Sequence, residues 1–516
     1  MDLLPVLLAL VPVIVIFLLL ILRRTPADIA GFVGWVTAVV VAWLVFQTPL
    51  GVALRVSLGG IVASLPIALV VATSIMQVTV MIETGAIARV VALIKTIAPN
   101  DQVVQIMLIN VGFGTLLTAL GAVPVSILPP IMLALGYSTF AAIALPAIGY
   151  DALCTYALLG VPVVVFSNFV NLPVEQVGGY FARYMPVIST CIAMGMLWIV
   201  GKWKMMWHGL APTLITGLTA GFVAIAMNAA GLITLTGIAA GLCVVLAMLL
   251  YLKFTGRKLM DRGKLTEQDL EAERRLPLWK ALSPWIILTL FSLVVNLPAL
   301  PFFNLVFTRW AMPLEIIPGS PERLRIFWQA YFWILISTVL ALPFLKPSKA
   351  QVQASFQKWA KRAPRPVFAA AIFFAIAFVI NHSGKGPDWV LADTNLNMVQ
   401  VIAGASATAF GAFYPLVASF LGLLGGFISG SEASSIAMLT DLHLSTAEKI
   451  GVAGLVIAAA SGIGGGLASV ISPAKLQNAS ASIDRIGEEA QVIRVTLVIS
   501  ILITSVVALM TLIWAW

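Results

Sequence analysis

The sequence predicts an all-α, polytopic membrane protein with about twelve to fourteen membrane elements arranged as two structural repeats. Three observations carry this expectation. Hydrophobic residues make up 61% of the 516 and charged residues only 10%, with a mean hydropathy of +1.05; a soluble globule cannot hide that much apolar surface. Apolar stretches near the ~20 residues that cross a bilayer recur from end to end. The charges collect between those stretches.

In chain order, candidate spans run near 3–22, 29–47, 58–80, 103–121, 140–166, 185–201, 209–228, 232–252, 281–299, 325–344, 366–381, 398–428, 450–470 and 491–513. Several are too long or too interrupted by Gly and Pro to be single straight helices. The first begins at Leu3, has no basic segment before it and no small-residue cleavage site behind it, and reads as a retained span rather than a signal peptide.

The net charge of +9 arises from 30 basic and 21 acidic residues. In a soluble protein such a balance would suggest nucleic acid, but here the bases lie in loops, so no nucleic-acid partner is expected. Residues 253–280 carry eight bases and 346–365 carry six with no acid. The positive-inside rule makes both loops cytoplasmic, together with the Arg23–Arg24 end of the first span, and places the N-terminus outside. The mixed-charge stretch 253–280 then reads as a solvated linker between an N-terminal half, 1–252, and a C-terminal half, 281–516.

Those halves look related. YSTFAAIALPAIGYDALCTYALLGVP at 137–162 and LSTAEKIGVAGLVIAAASGIGGGLASVISP at 444–473 each follow a small-residue break, TALGAVPVS at 118–126 and ISGSEASS at 428–435. Interrupting a helix inside the bilayer frees N–H and C=O groups that only protein or a wet cavity can satisfy. The half-helix N-termini offer partial positive charge to an anion. Paired interruptions at matching places are therefore the pointer to a secondary transporter's site. For a single glycine, close helix packing is the simpler reading. The GIGGG run at 462–466 reads as a helix break. No G-x-x-x-x-G-K-[ST] motif supports an ATP-driven pump.

Glu432 is the most informative residue, because FISGSEASSIAML at 427–439 sets a carboxylate among serines and glycines. A charge at membrane depth costs about 2.5–3.5 kcal/mol and usually faces a protein interior or a water path. Other polar types say less. Cys154, Cys191 and Cys243 read as small buried hydrophobes; no metal-ligand spacing or cofactor motif is present. His208 and His443 fall at span ends, as do Trp203, Trp207, Trp279, Trp285 and Trp516, which read as interfacial anchors.

GFISGSEASSIAML at 426–439 and SGIGGGLASVISPAKLQNASASIDRIGEEAQVIRVTLVIS at 461–500 resemble the lactate permease family of bacterial secondary transporters. The resemblance continues in VGFGTLLTALGAVPVSILPPIMLALGY at 111–137, GVP at 160–162, PNDQ at 99–102 and NHSG at 381–384, in the same order over most of the chain. It implies an inner-membrane permease, not an enzyme, that moves L-lactate, and often glycolate, with a proton. Residue by residue it points to Gly430, Ser431, Ser434, Ser435, Ser472 and Pro473, and to Gly114, Gly121 and Pro124. Glu432 stands at the family's aspartate and is the proton-coupling candidate.

The departures from the family are local. Thr118 replaces the family's acid, Tyr150–Asp151 replaces its Asn-Thr, and Lys475 replaces its glutamine. One expectation is that Asp151 takes over proton coupling or anchors a basic partner, with Lys475 as that partner or as a clamp on the substrate carboxylate. Two alternatives stay open: transport of another organic anion, and cation exchange at Asp151 and Glu432 with no organic substrate. The expected partners are a small carboxylate, protons and the bilayer; the residues do not reveal an oligomeric state.

Overall fold

A computed structural model describes residues 3–23, 25–98, 101–121, 123–297, 300–483, 485 and 487–516. Pro99 and Asn100 of the 99–102 segment, Ala122 of the first break, and Pro298 and Ala299 at the end of the expected 281–299 span lie outside the described residues. Among those described, nine helices are long and apolar enough to cross a membrane, Thr139–Asp151 and Cys154–Val170 form a bent pair at 69°, and four more apolar helices are shorter. Each of the fourteen expected spans overlaps one of these. The chain is an all-α, multi-pass integral membrane protein.

The polar contacts define one basic face. Lys358 Nζ lies 2.5 Å from Glu83 Oε1 at the end of helix Leu50–Glu83, and Arg365 pairs with Asp28 at 3.4 Å. Arg257 pairs with Asp101. Most of the 253–280 stretch is exposed, and one short helix within it is docked. Its helix Glu267–Arg275 starts with a Thr266–Asp269 capping box and docks on helix Ala86–Thr96 through Lys95–Asp269 at 2.8 Å and Arg89–Glu273 at 3.1 Å. Asp269 is only 7% exposed. Burial by itself would raise its carboxyl, but hydrogen bonds from Lys95 and Thr266 hold it below its ordinary value.

The other face carries the only strands among the described residues. Met312–Ile317 and Ser320–Leu324 pair antiparallel, with Met312 opposite Leu324 and Ile317 opposite Ser320. Arg55 Nε donates to Ile316 O at 2.6 Å, which ties this hairpin to Leu50–Glu83 at the end remote from Glu83. Trp203, Trp207, Trp279 and Trp516 are exposed, as interfacial anchors should be, whereas Trp285 is only 6% exposed. His443 is also buried, with its Nδ1 2.8 Å from Tyr414 Oη, and so is not an interfacial residue.

Four discontinuous elements matter most. The first hairpin runs up through Gln102–Ala119, turns at Gly121 (φ +83°), and returns through Pro124–Ala134. Asp101, paired with Arg257, caps its start, and Tyr137 Oη donates to Gln102 O at 3.3 Å, so its open end lies at the basic face. The first broken helix, Thr139–Asp151, stops at a short 3-10 turn, Cys154–Tyr156. Leu158, Leu159 and Gly160 are then left-handed before the helix continues to Val170. Each left-handed leucine stores about 1–3 kcal/mol that the surrounding packing must hold.

The second hairpin descends through Tyr414–Ser429, turns at Gly430 (φ +69°), and returns through Glu432–Ile450. Its open end lies at the other face. Helix Pro364–Asn381 leads there from Arg365; Asn397 Nδ2 donates to Asn381 O at 3.0 Å, and Gln400 Nε2 donates to Ser445 Oγ at 3.0 Å. The second broken helix is Gly454–Leu467 followed, after a turn at 468–472, by Pro473–Ala481.

The GIGGG run at 462–466 lies inside Gly454–Leu467 and does not itself break the helix. Its glycines serve close approach: a Cβ on Gly464 or Gly465 would collide with Ser419 O or Ser435. The break comes immediately after, at 468–472. The two halves interlock around the breaks, since Pro473–Ala481 packs on Pro124–Ala134 and Thr139–Asp151, and Ala157–Val170 packs on Glu432–Ile450.

Candidate functional site

Glu432 is the first residue of its helix and is 3% exposed. This position sets a carboxyl at the positive end of the helix dipole, beside N–H groups that have no helical partner. Ser431 Oγ caps the same end by accepting from Ser434 N at 3.4 Å. Thr155 Oγ1, in the turn of the first broken helix, donates to Glu432 Oε1 at 2.6 Å. Cys154 adjoins the same carboxyl, since a Cβ on Gly466 would meet both Glu432 and, at 3.4 Å, Cys154 Cβ. Glu432 Oε2 is buried without a partner, and a Cβ on Gly466 would stand 2.6 Å from it. Two breaks and the neighbouring helix therefore enclose one acid.

Asp151 closes the helix Thr139–Asp151 and is 6% exposed, with Oδ1 lacking a partner. Ser469, the Val470 backbone and Lys475 surround it. Lys475 Nζ donates to Ser469 Oγ at 2.5 Å and stands 3.9 Å from the centre of the Tyr150 ring. That cation–π contact replaces part of the hydration an ammonium loses on burial. Ser469 adjoins both Asp151 and Lys475.

Not every residue singled out by the sequence joins this cluster. Ser472 sits at the start of Pro473–Ala481, and its Oγ, like that of Ser434, is buried without a partner. Buried hydroxyls with unused hydrogen-bonding capacity suit a polar ligand. Ser435 Oγ instead donates to Gly422 O at 3.0 Å, across to the other arm of its hairpin. Thr118 Oγ1 donates to Gly114 O at 2.8 Å within the first hairpin. Pro124 begins that hairpin's returning arm, and Gly430 and Gly121 supply the two tips.

Sequence reasoning missed Tyr150, Thr155, Gly466 and Ser469. Cys154 is buried, as read, and stands beside the Glu432 carboxyl. The available signal was proximity: Tyr150, Cys154 and Thr155 flank Asp151 within GYDALCTY.

A family model described as L-lactate permease matches residues 5–516. This chain belongs to the L-lactate permease family. It is 24% identical to the glycolate permease GlcA of Escherichia coli (strain K12), over 99% of this chain and 95% of that protein. The L-lactate permease of the same strain is also 24% identical, over 99% and 96%, and that of Bacillus subtilis (strain 168) is 24% identical, over 99% and 95%. Among solved structures, one titled for Neisseria gonorrhoeae MtrF and a class of antimetabolite efflux pumps covers 89% of this chain and 83% of that chain, at 13% identity and a TM-score of 0.41. That likeness carries no argument. Family membership makes the chain a permease and not an enzyme. The acid-and-lysine cluster joins the tip of the second hairpin to the two broken helices.

Proposed function

We propose that this L-lactate permease family member is a plasma-membrane secondary transporter that carries L-lactate, with glycolate as a second substrate, by proton symport. The observation that carries the reading is the convergence of Glu432, Asp151 and Lys475 at helix breaks contributed by both halves of the chain. Lys475 is the cation for the substrate carboxylate. Ser431, Ser434 and Ser472 line the path of the substrate hydroxyl and carboxyl, and Glu432 with Asp151 provides proton coupling. The names of the relatives, L-lactate permease and glycolate permease, support the substrate class.

Charge counting supports symport. With Lys475 charged and both acids ionised the cluster carries one net negative charge, and an anionic substrate makes two. Such an excess is strongly disfavoured where little water screens it. One proton bound with each anion restores the balance.

The layout also supports two inverted repeats, 1–252 and 281–516, joined through 253–280. One hairpin opens to the basic face and the other to the opposite face, each followed by a broken helix. With the basic face cytoplasmic, the N-terminus is outside.

The test is uptake of labelled L-lactate into proteoliposomes under an imposed pH gradient, with glycolate and a panel of small carboxylates as competitors. Saturable, gradient-driven uptake that Glu432→Gln abolishes is expected. Transport of another acid in place of lactate would move the substrate; silence for every carboxylate, with cation flux instead, would overturn the proposal.

A further inference from the structure

A second feature of the fold lies on the face opposite the basic loops. Gly209 stands against Val103, near the Asp101 end of the first hairpin, so helix Leu210–Ala229 ends at that opposite face. Beyond its end is a cavity of about 260 Å³, several times the ~30 Å³ share of one water in the liquid. Its walls include Glu175, Thr234, Asn296, Phe307 and Trp328. Glu175 and Gly231 are exposed at its rim. Trp328 Nε1 donates to Asn296 Oδ1 at 3.1 Å, so the aromatic wall is held by a polar contact.

The inner wall leads toward Glu432. Ile233 and Thr234 of the cavity lean on the left-handed segment: a Cβ on Gly160 would stand 3.6 Å from Ile233 O and 3.7 Å from Thr234 Cα. Just beyond, Asn228 Nδ2 donates to Tyr156 Oη at 2.9 Å, while Asn228 Oδ1 is buried without a partner. Tyr156 is fully buried and directly follows Thr155, the residue that bonds Glu432. A row of buried polar groups thus runs from a surface cavity to a buried acid, and Asn228 Oδ1 and Glu432 Oε2 along it keep the unused hydrogen-bonding capacity that a passing polar ligand can meet.

We infer that this cavity is the outer mouth of an access path for the small carboxylate and its proton to Glu432, and that the Tyr156–Asn228 contact is its inner closure. The inference rests on the proposed function for what is carried, but the path itself is tested without transport. Leu158–Gly160, held in the left-handed region beside the closure, is the hinge on which it opens.

The experiment uses the full chain in oriented proteoliposomes with Cys191 and Cys243 replaced by serine. Thr234→Cys should react with a membrane-impermeant thiol reagent added outside, and its own L-lactate uptake should then fall at least tenfold. Tyr156→Ala, which removes the closure, should let the same reagent reach native Cys154 at least tenfold faster than in the parent. Monodisperse elution of both variants separates opening from unfolding, and Ala230→Cys, in the same wall, replaces Thr234→Cys if that variant does not fold. No external labelling of the cavity cysteine, full uptake after labelling, or an unchanged Cys154 rate in Tyr156→Ala would each overturn the inference. A parent that carries no carboxylate yet shows both labelling effects would instead refute the proposed substrate and leave the path standing.

Discussion

Gly466→Ala is the sharpest test of how the fold holds Glu432. A Cβ there would lie 2.6 Å from Oε2 and 3.1 Å from Cδ of Glu432. Ordinary contact requires the carboxyl to retreat by roughly 0.8 Å. Its bond from Thr155, now 2.6 Å, then lengthens or swings out of line, and a hydrogen bond to a charged group contributes about 1.5–3 kcal/mol. At 1.36 kcal/mol per decade, uptake falls about ten- to a hundredfold. The helix itself gains, since alanine is favoured over glycine by about 1 kcal/mol in a helix interior. That gain offsets only part of the weakened bond, so the variant should melt slightly below wild type while transporting poorly. Gly404→Ala is the control: its Cβ meets nothing within 4 Å, so it should show the helix gain alone and keep its uptake. The assay pairs initial L-lactate uptake rates with thermal unfolding in detergent. Wild-type uptake in Gly466→Ala would refute the claim that this carboxyl must stay where Thr155 holds it.

Two further outcomes follow from named contacts. Asp151→Asn and Lys475→Gln should each slow uptake by about tenfold or more, and the double variant should be no slower than the worse single, because the two residues act as one unit through Ser469; additive losses, or near-normal uptake and pH dependence in both singles, would refute that unit. Asp269 is held below its ordinary value, so its contribution to docking is present above the unfolded aspartate value near 3.9 and is lost as pH falls through its depressed folded value. Hydrogen exchange in 267–275 should accordingly be slow at neutral pH and quicken in acid, and Asp269→Asn should remove that dependence. Protection that grows on acidification would contradict the sign.

Local features made much of this protein legible in its sequence. Apolar length decides what enters a bilayer, so all fourteen expected spans found helices, and the basic loops came together at one face. Gly430 and Gly121 were readable as breaks because only glycine takes a positive φ without strain. The exact place of a break was harder to read. GIGGG resembles one, yet helix–helix contact keeps it helical and moves the interruption to 468–472. Within the charged stretch 253–280, the docking of helix Glu267–Arg275 was not legible, because it depends on bases of Ala86–Thr96 that lie far away in the chain.

By itself the sequence determined the class and the family resemblance, and it singled out Glu432 because an unshielded charge in lipid is costly wherever it falls. Only the tertiary structure decided which groups answer it. Thr155 and Cys154 are 277 and 278 positions away from Glu432, and no periodicity couples residues at that range. Asp151 and Lys475 likewise meet because a helix end from the first half packs on a helix start from the second. Serines of one motif then divide by orientation alone, with Ser435 tied to Gly422 O and Ser434 left with a free hydroxyl. Composition sets what must be buried; the packing of four interrupted helices sets what each buried polar group faces.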